Sequence, residues 1–165
     1  MLSILKLARI QLMEITKIPN KILSKTTEKV GLKDIKNGSL KDLVLKMKVA
    51  MKENIGIGLA ANQVNNNLSV FVIDEKLASE NGVPEVFFNP EITEYSKEID
   101  EMEEGCLSIP GYDANIKRFK KIKIKAIDEN GYKVKLKARG FLARVLQHET
   151  DHLNGKTIKD RANEK

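Results

Sequence analysis

Gln147-His148-Glu149-Thr150-Asp151-His152 contains the only two histidines of the 165-residue chain. Residues four apart on an α-helix project from one face, so His148 and His152 can converge on a single metal ion. Glu149, directly after the first histidine, can then reach water at that metal and take its proton. This is the HExxH arrangement of hydrolytic metal sites. The bland alternative is a surface helix turn in which a short pattern arose by chance, so the rest of the chain has to supply the missing parts.

Glu104-Gly105-Cys106-Leu107-Ser108 contains the one cysteine. Beside glycine and before Ile109-Pro110-Gly111, it reads as part of a constrained turn rather than a core period. A lone cysteine is commonly buried and inert; the alternatives are a nucleophile or a metal ligand. A nucleophile needs a base histidine, and helical spacing already accounts for both. A thiolate completing a Cys106-His148-His152 set is more economical, with three protein ligands and one open coordination position. One cysteine allows no intramolecular disulfide, and a reducing compartment is expected.

The third stretch is Gly56-Ile57-Gly58-Leu59-Ala60-Ala61-Asn62-Gln63. Two glycines and two alanines in so short a run mean that backbone approaches something closely. One reading is a tight helix–strand connection. The other is a site wall, with substrate backbone against Gly58 and the Gln63 amide aimed at the reacting group. A phosphate loop fits poorly, because the glycine spacing is wrong and no Lys-Ser/Thr follows.

Composition is that of a globular domain, with 41% hydrophobic and 32% charged residues and a formal charge of +6. No apolar run approaches bilayer length. The basic residues are scattered without an RNA-binding motif, so a solvated lysine surface is favoured over a nucleic-acid site. Neither DNA nor membrane is an expected partner. Residues 1–13 are apolar and basic but lack a cleavage pattern, so an amphipathic N-terminal helix or an extension of the first packed segment is favoured over a presequence.

The elements that must position these residues follow from periodicity. Residues up to 36 show no clean period. Ser39, with Asp42 three residues on, reads as the N-cap of an amphipathic helix at 40–53. Strands are expected at 69–73 and 86–92, separated by a turn at 80–84 and interrupted at Asn89-Pro90. The acidic run 98–104 reads as a solvated loop, Glu104 excepted. Strict alternation at 121–127 and 132–136 around Asp128-Glu129-Asn130-Gly131 predicts a hairpin with one lysine face. That face reads as an aggregation-resistant surface. The last helix is expected at about 141–153, capped by Asn154-Gly155, with 156–165 fraying.

Taken together, GIGLAANQ at 56–63, EGCLS at 104–108 and QHETDH at 147–152 resemble the three signature motifs of the peptide deformylase family. The similarity runs from about Ile15 to Arg161, leaving 1–14 as an N-terminal extension before a deformylase domain at 15–165. The resemblance implies a single α+β domain with antiparallel β-sheets around a central HExxH-bearing helix. It implies a metal-dependent hydrolase that takes the formyl group from formyl-methionine of newly made polypeptides and releases formate. Cys106, His148 and His152 would hold one divalent ion, Fe2+ in the cell, with Zn2+, Ni2+ or Co2+ able to occupy the site. Glu149 would be the general base and then the acid. Gln63 and the Leu107 backbone N–H would donate to the developing oxyanion. The peptide would run along Ile57, Gly58 and Gly105, with methionine in a pocket near Phe141, Val145 and His148.

Partners would be formyl-methionyl nascent peptides and, transiently, the ribosome. A bacterial-type cytoplasmic location is expected, with organellar import not favoured. Two departures stand out. Gly111-Tyr112-Asp113 lies where many members carry an arginine, and the chain lacks the long C-terminal helix used by some bacterial members for ribosome docking. The alternatives are an HExxH-type zinc peptidase, against which no further His or Glu ligand follows the motif, and a catalytically silent binder of peptide N-termini or RNA.

Overall fold

In the computed structural model, which describes residues 12–164, the apolar run Val70–Ile73 within the expected 69–73 forms a strand with a core on each face. Phe71 and Ile73 join one apolar cluster with Leu142, Ala143 and Leu146. Val70 and Val72 join the other with Val44, Met47 and Met51. Successive strand residues point to opposite faces, so a run apolar at every position needs cover on both sides.

The strands are β1 (Gly58–Ala60), β2 (Val70–Ile73), β3 (Val86–Tyr95), β4 (Ile99–Gly105), β5 (Asp113–Phe119), β6 (Lys121–Ile127) and β7 (Lys133–Arg139). The helices are α1 (Leu32–Lys36), α2 (Lys41–Glu53), α3 (Glu75–Asn81), α4 (Gly140–Leu153) and α5 (Ile158–Asn163). Five strands form one sheet in the order β1-β2-β3-β6-β7, and β4 pairs with β5 in a second. Every pairing is antiparallel. This is a single-domain α+β fold, with α2 against one face of the large sheet and α4 against the other.

Helix α4 covers the expected 141–153, and the hairpin forms in register with its second strand extended to Arg139. Several expectations fail for physical reasons. The acidic run 98–104 is not a loop but β4, because β5 sets Arg118 opposite Asp100 and Lys117 opposite Glu101. Opposite charges facing across a ladder stabilise it, and the partner strand is too distant in sequence to read. Ser39 does not cap α2; its hydroxyl donates to the Asp34 carbonyl at 3.1 Å and closes the preceding turn. Asp42 instead pairs with Lys46 at 2.8 Å.

Helix α3 replaces part of the turn expected at 80–84, capped by Asp74, whose carboxylate accepts from Leu77 N at 3.0 Å. Its single pair of turns is too short to show a period. Strand β3 runs past Asn89-Pro90 to Tyr95 through register shifts. There the Asn89 side chain bonds both Val30 N and Val30 O at 2.8 Å, replacing ladder bonds. The C-terminal stretch forms α5 rather than fraying: Asp160 caps Thr157, and Ile158 is buried.

The proposed extension 1–14 falls largely outside the described residues, as does the presequence reading of 1–13. Met13 and Ile15 pack against the α2 cluster. Among the described residues, no helix is long and apolar enough to cross a membrane.

Leu146 is fully buried between α4 and the large sheet, whereas Leu45 on α2 is 39% exposed. Leu146→Ala should cost about 2–5 kcal/mol in urea unfolding, and Leu45→Ala below about 1. Equal costs would mean that α4 is not anchored as described.

Candidate metal centre

Helix α4 turns Leu142, Ala143 and Leu146 into the apolar core, which leaves His148 and His152 on another side and Glu149 at the border between the two. The two imidazoles meet with Nε2 atoms 3.2 Å apart, and Cys106 Sγ lies 3.3 Å from Nε2 of His152. All three donor atoms lie within 4.8 Å of one another. A tetrahedral ion with bonds of about 2.0–2.1 Å to nitrogen and about 2.3 Å to sulfur spaces its donors about 3.3–3.6 Å apart. The donor set therefore fits one divalent cation. One sulfur and two imidazole nitrogens suit zinc and ferrous iron alike.

Cys106 reaches this point because β4 ends at Gly105 and the chain turns, with Ile109 N donating to Cys106 O at 2.9 Å. The residue before that end, Glu104, is buried, and every oxygen it has is used. Oε1 accepts from Arg118 Nε at 3.0 Å and Arg144 Nη1 at 2.7 Å. Oε2 accepts from Arg118 Nη2 at 2.9 Å and faces His148 Nδ1 at 3.0 Å. The His148 contact puts the proton on Nδ1 and turns the Nε2 lone pair toward the cluster. Arg118 also pairs with Asp151, which in turn holds Arg161 of α5.

Burial alone would raise the Glu104 carboxyl, but hydrogen bonds from His148 and Arg118 outweigh it and hold the group well below the carboxylate range. Burial disfavours a charged His148, yet its bonds to Cys106 and Glu104 and the charge of Glu149 carry it up to about 10 without a metal. His152 is pushed well below its ordinary value by burial and by the neighbouring His148. Burial raises Glu149 to about 7. Its Oε2 has no hydrogen-bond partner among the described residues. A carboxylate poised near neutrality with an uncommitted oxygen suits proton transfer.

Gly58 answers the question posed by the glycine-rich stretch. A Cβ there would collide with the Glu149 carboxylate. The backbone is bare so that the carboxylate can lie against it. Gln63, buried in the 3-10 turn Ala61–Val64, accepts from Ala60 N at 3.0 Å through Oε1. Its amide nitrogen donates to Ser108 Oγ at 3.1 Å and faces Cys106 Sγ at 3.6 Å, so the donor end is fixed at the cluster.

A cleft of about 400 Å³ opens between β1 and the end of β4. Ile57, Gly58, Gln63, Gly105, Cys106, Leu107, Phe141, Val145, His148 and Glu149 all line it. His152 does not; it lies buried behind His148. A larger groove of about 780 Å³ near Tyr95 and Leu142 brings no cysteine or histidine together, so volume does not locate the chemistry.

Sequence reasoning missed Ile55 and Met102, exposed apolar residues on the cleft wall, and the charged residues Arg118, Arg144 and Asp151. Arg144 carried a legible signal, since it stands between Ala143 and Val145 in an otherwise apolar stretch of α4. Arg118 had none, because only pairing across β4 and β5 brings it beneath the cluster.

A Cys-His-His cluster with an adjacent buried carboxylate, in a cleft between two sheet edges, places the protein among metal-dependent hydrolases. The model of the polypeptide deformylase family matches residues 12–165. Peptide deformylase of Dictyoglomus turgidum is 46% identical over 92% of this chain and 93% of its own length. The crystal structure of peptide deformylase from Thermotoga maritima superposes with a TM-score of 0.84 at 36% identity, covering 93% of this chain and 99% of that one. The Met-Ala-Ser-bound peptide deformylase of Acinetobacter baumannii has a TM-score of 0.82 at 32% identity, covering 92% and 98%. The chain belongs to the polypeptide deformylase family, hydrolases that remove the formyl group from N-terminal methionine.

Arg118→Leu should cost about 3–5 kcal/mol of stability, because it leaves Glu104 and Asp151 buried without their shared partner. Glu104 is depressed in the folded state, so its contribution is complete above its unfolded value of 4.5 and is lost as pH falls below it. Unfolding free energy should therefore drop below that pH, and Glu104→Gln should flatten the drop. An equally steep profile in the variant would assign acid lability to other carboxylates.

Proposed function

We propose that the cleft removes the formyl group of formyl-methionine from newly made polypeptides with Cys106, His148 and His152 as ligands of one divalent cation and Glu149 as the proton carrier. The observation that carries this assignment is the meeting of Sγ and two Nε2 atoms beside a buried, partnerless carboxylate oxygen. When bound, the cation supplies a Lewis acid that brings the pKa of water toward neutrality. Glu149 takes a proton from the attacking water as the new C–O bond forms. Gln63 and the Leu107 N–H donate to the formyl oxygen as it gains negative charge. Glu149 then passes its proton to the amine nitrogen as the C–N bond breaks, releasing formate and a free N-terminus.

Strand β1 has one neighbour in its sheet, β2, so its other edge is open to an extended peptide. In our reading the peptide runs along Ile57, Gly58 and Gly105, with methionine against Phe141 and Val145. The Met-Ala-Ser ligand of the Acinetobacter relative supports a methionine-first peptide here. Ferrous iron is the proposed cellular metal, with zinc, nickel or cobalt as substitutes. We further read the helix bearing His148 and His152 as the element around which both sheets are arranged, the deformylase domain as 15–165, and the location as cytoplasmic with transient ribosome contact. The family assignment and the intact Glu149 disfavour a peptidase or a silent binder.

Formate release from a formyl-Met peptide should vanish in Glu149→Ala while one metal ion per chain is retained. Loss of metal in that variant would move Glu149 to a structural role. Gln63→Leu should lower kcat by about 10²–10³. With cobalt bound, the thiolate-to-metal absorption band should disappear in Cys106→Ser and persist in Gln63→Leu, a readout independent of turnover. A band that survives in Cys106→Ser would remove the thiolate from the ligand set.

A further inference from the structure

Ile55 holds a backbone conformation that its side chain does not favour. It follows Asn54 at the end of α2 with φ +57°, in the left-handed region. Ile55 N donates to Lys52 O at 3.1 Å and Gly56 N to Met51 O at 2.9 Å. This is the bonding of a helix end whose left-handed position ordinarily carries glycine or asparagine. Both residue types stand next to that position, and neither occupies it. The Asn54 side chain instead donates to Ala50 O at 2.8 Å. Gly56 is needed where it is, because a Cβ there would come within 2.9 Å of Leu107 Cδ1. A β-branched residue in the left-handed region is an outlier, kept at a cost in stability. Packing does not offset that cost, since Ile55 is 92% exposed.

Ile55 lines the cleft, and so does Met102, which is 46% exposed on β4. Ile55 stands three residues ahead of Gly58, and Met102 three residues ahead of Gly105. The two walls thus carry apolar side chains at matching positions before the glycines that border the cluster. We infer that Ile55 and Met102 form a specificity clamp for apolar side chains at the second and third positions of the formyl peptide. The inference rests on the proposed peptide path along Ile57, Gly58 and Gly105. Three residues of wall span at most about 10 Å, and two residues of extended peptide about 7 Å. With methionine at the glycines, Ile55 and Met102 therefore lie over the side chains that follow it. A single exposed apolar residue needs no explanation. One kept in a left-handed backbone at a cleft mouth, with a second on the opposite wall, does. Burying both against a bound apolar side chain offsets the cost that the free protein carries.

The test is binding of unformylated peptides to the metal-loaded protein, which reads no turnover. Met-Ala-Leu is compared with Met-Ala-Ser, and Met-Leu-Ala with Met-Ser-Ala, each labelled with a fluorophore several residues further on. Leucine should bind about tenfold tighter than serine at one or both positions, the ratio expected for about 50 Å² of additional apolar burial. Ile55→Gly and Ile55→Asn should each reduce that ratio to about threefold or less. Both should also raise Tm by about 2–4 °C, because glycine and asparagine accept the left-handed backbone. Ile55→Leu should retain the preference, and Met102→Gln should weaken it. A lower Tm with equal loss of affinity for leucine and serine peptides would overturn the clamp in favour of a structural role. So would equal binding of the two peptides by the unaltered protein, or an undiminished ratio in Ile55→Gly. Failure of the reaction assigned to Glu149 would appear separately, as absent formate release with the leucine preference intact.

Discussion

One buried carboxylate ties the small sheet to the helix between Gly140 and Leu153. Glu104 lies at the end of β4, and its oxygens take hydrogen bonds from Arg118 on β5 and from Arg144 on α4, and face His148 on the same helix. A charge taken out of water is tolerated only when its lone pairs are satisfied. That requirement sets the distance from the small sheet to the helix, and with it the place where Cys106, two residues on, meets the imidazoles. Asp151 extends the constraint to Arg161, so α5 is held by the same network.

Apolar packing sets the opposite side of the helix. Leu142, Ala143 and Leu146 are pressed on the large sheet, so the helix can neither rotate nor slide without opening that core. Between a dry face and an ion-paired face, the imidazoles and Glu149 have little freedom. The pKa directions follow from this confinement. Glu149 is raised because it is buried without a hydrogen-bond partner for one oxygen, while Glu104, also buried, is lowered because its bonds outweigh burial. Two glutamates on one cluster are thus separated in proton affinity by their neighbours, one suited to holding charge and one to moving a proton.

The cleft exists because neither sheet closes over it. Strand β1 is a three-residue edge and β4 turns away at Gly105, so unpaired backbone from both sheets faces the same opening. Exposed apolar residues Ile55, Ile57, Met102 and Phe141 surround it. Open edges invite unwanted pairing, and here they stand where an extended peptide is the expected ligand.

The sequence by itself determined the candidate reacting groups. His148, Glu149 and His152 are spaced by helical geometry, which is local, and the Cys106 turn is written in neighbouring residues. The apolar strand at β2, the amphipathic α2 and the alternating hairpin were legible for the same reason, since each period is a property of a few consecutive side chains. What only the tertiary structure decided depends on residues far apart in the chain. The acidic run became β4 because Arg118 and Lys117 lie across from it. Gly58 is bare because of Glu149, 91 residues later by the chain's own numbering. Arg118, Arg144 and Asp151 look like surface charges until the sheets close on the helix and bury them. The β7 cations are distinguished from those of β6 only by which carboxylates β3 brings alongside. Local spacing encodes what a segment can do, and the ion pairing and burial that tune it arise only when distant segments meet.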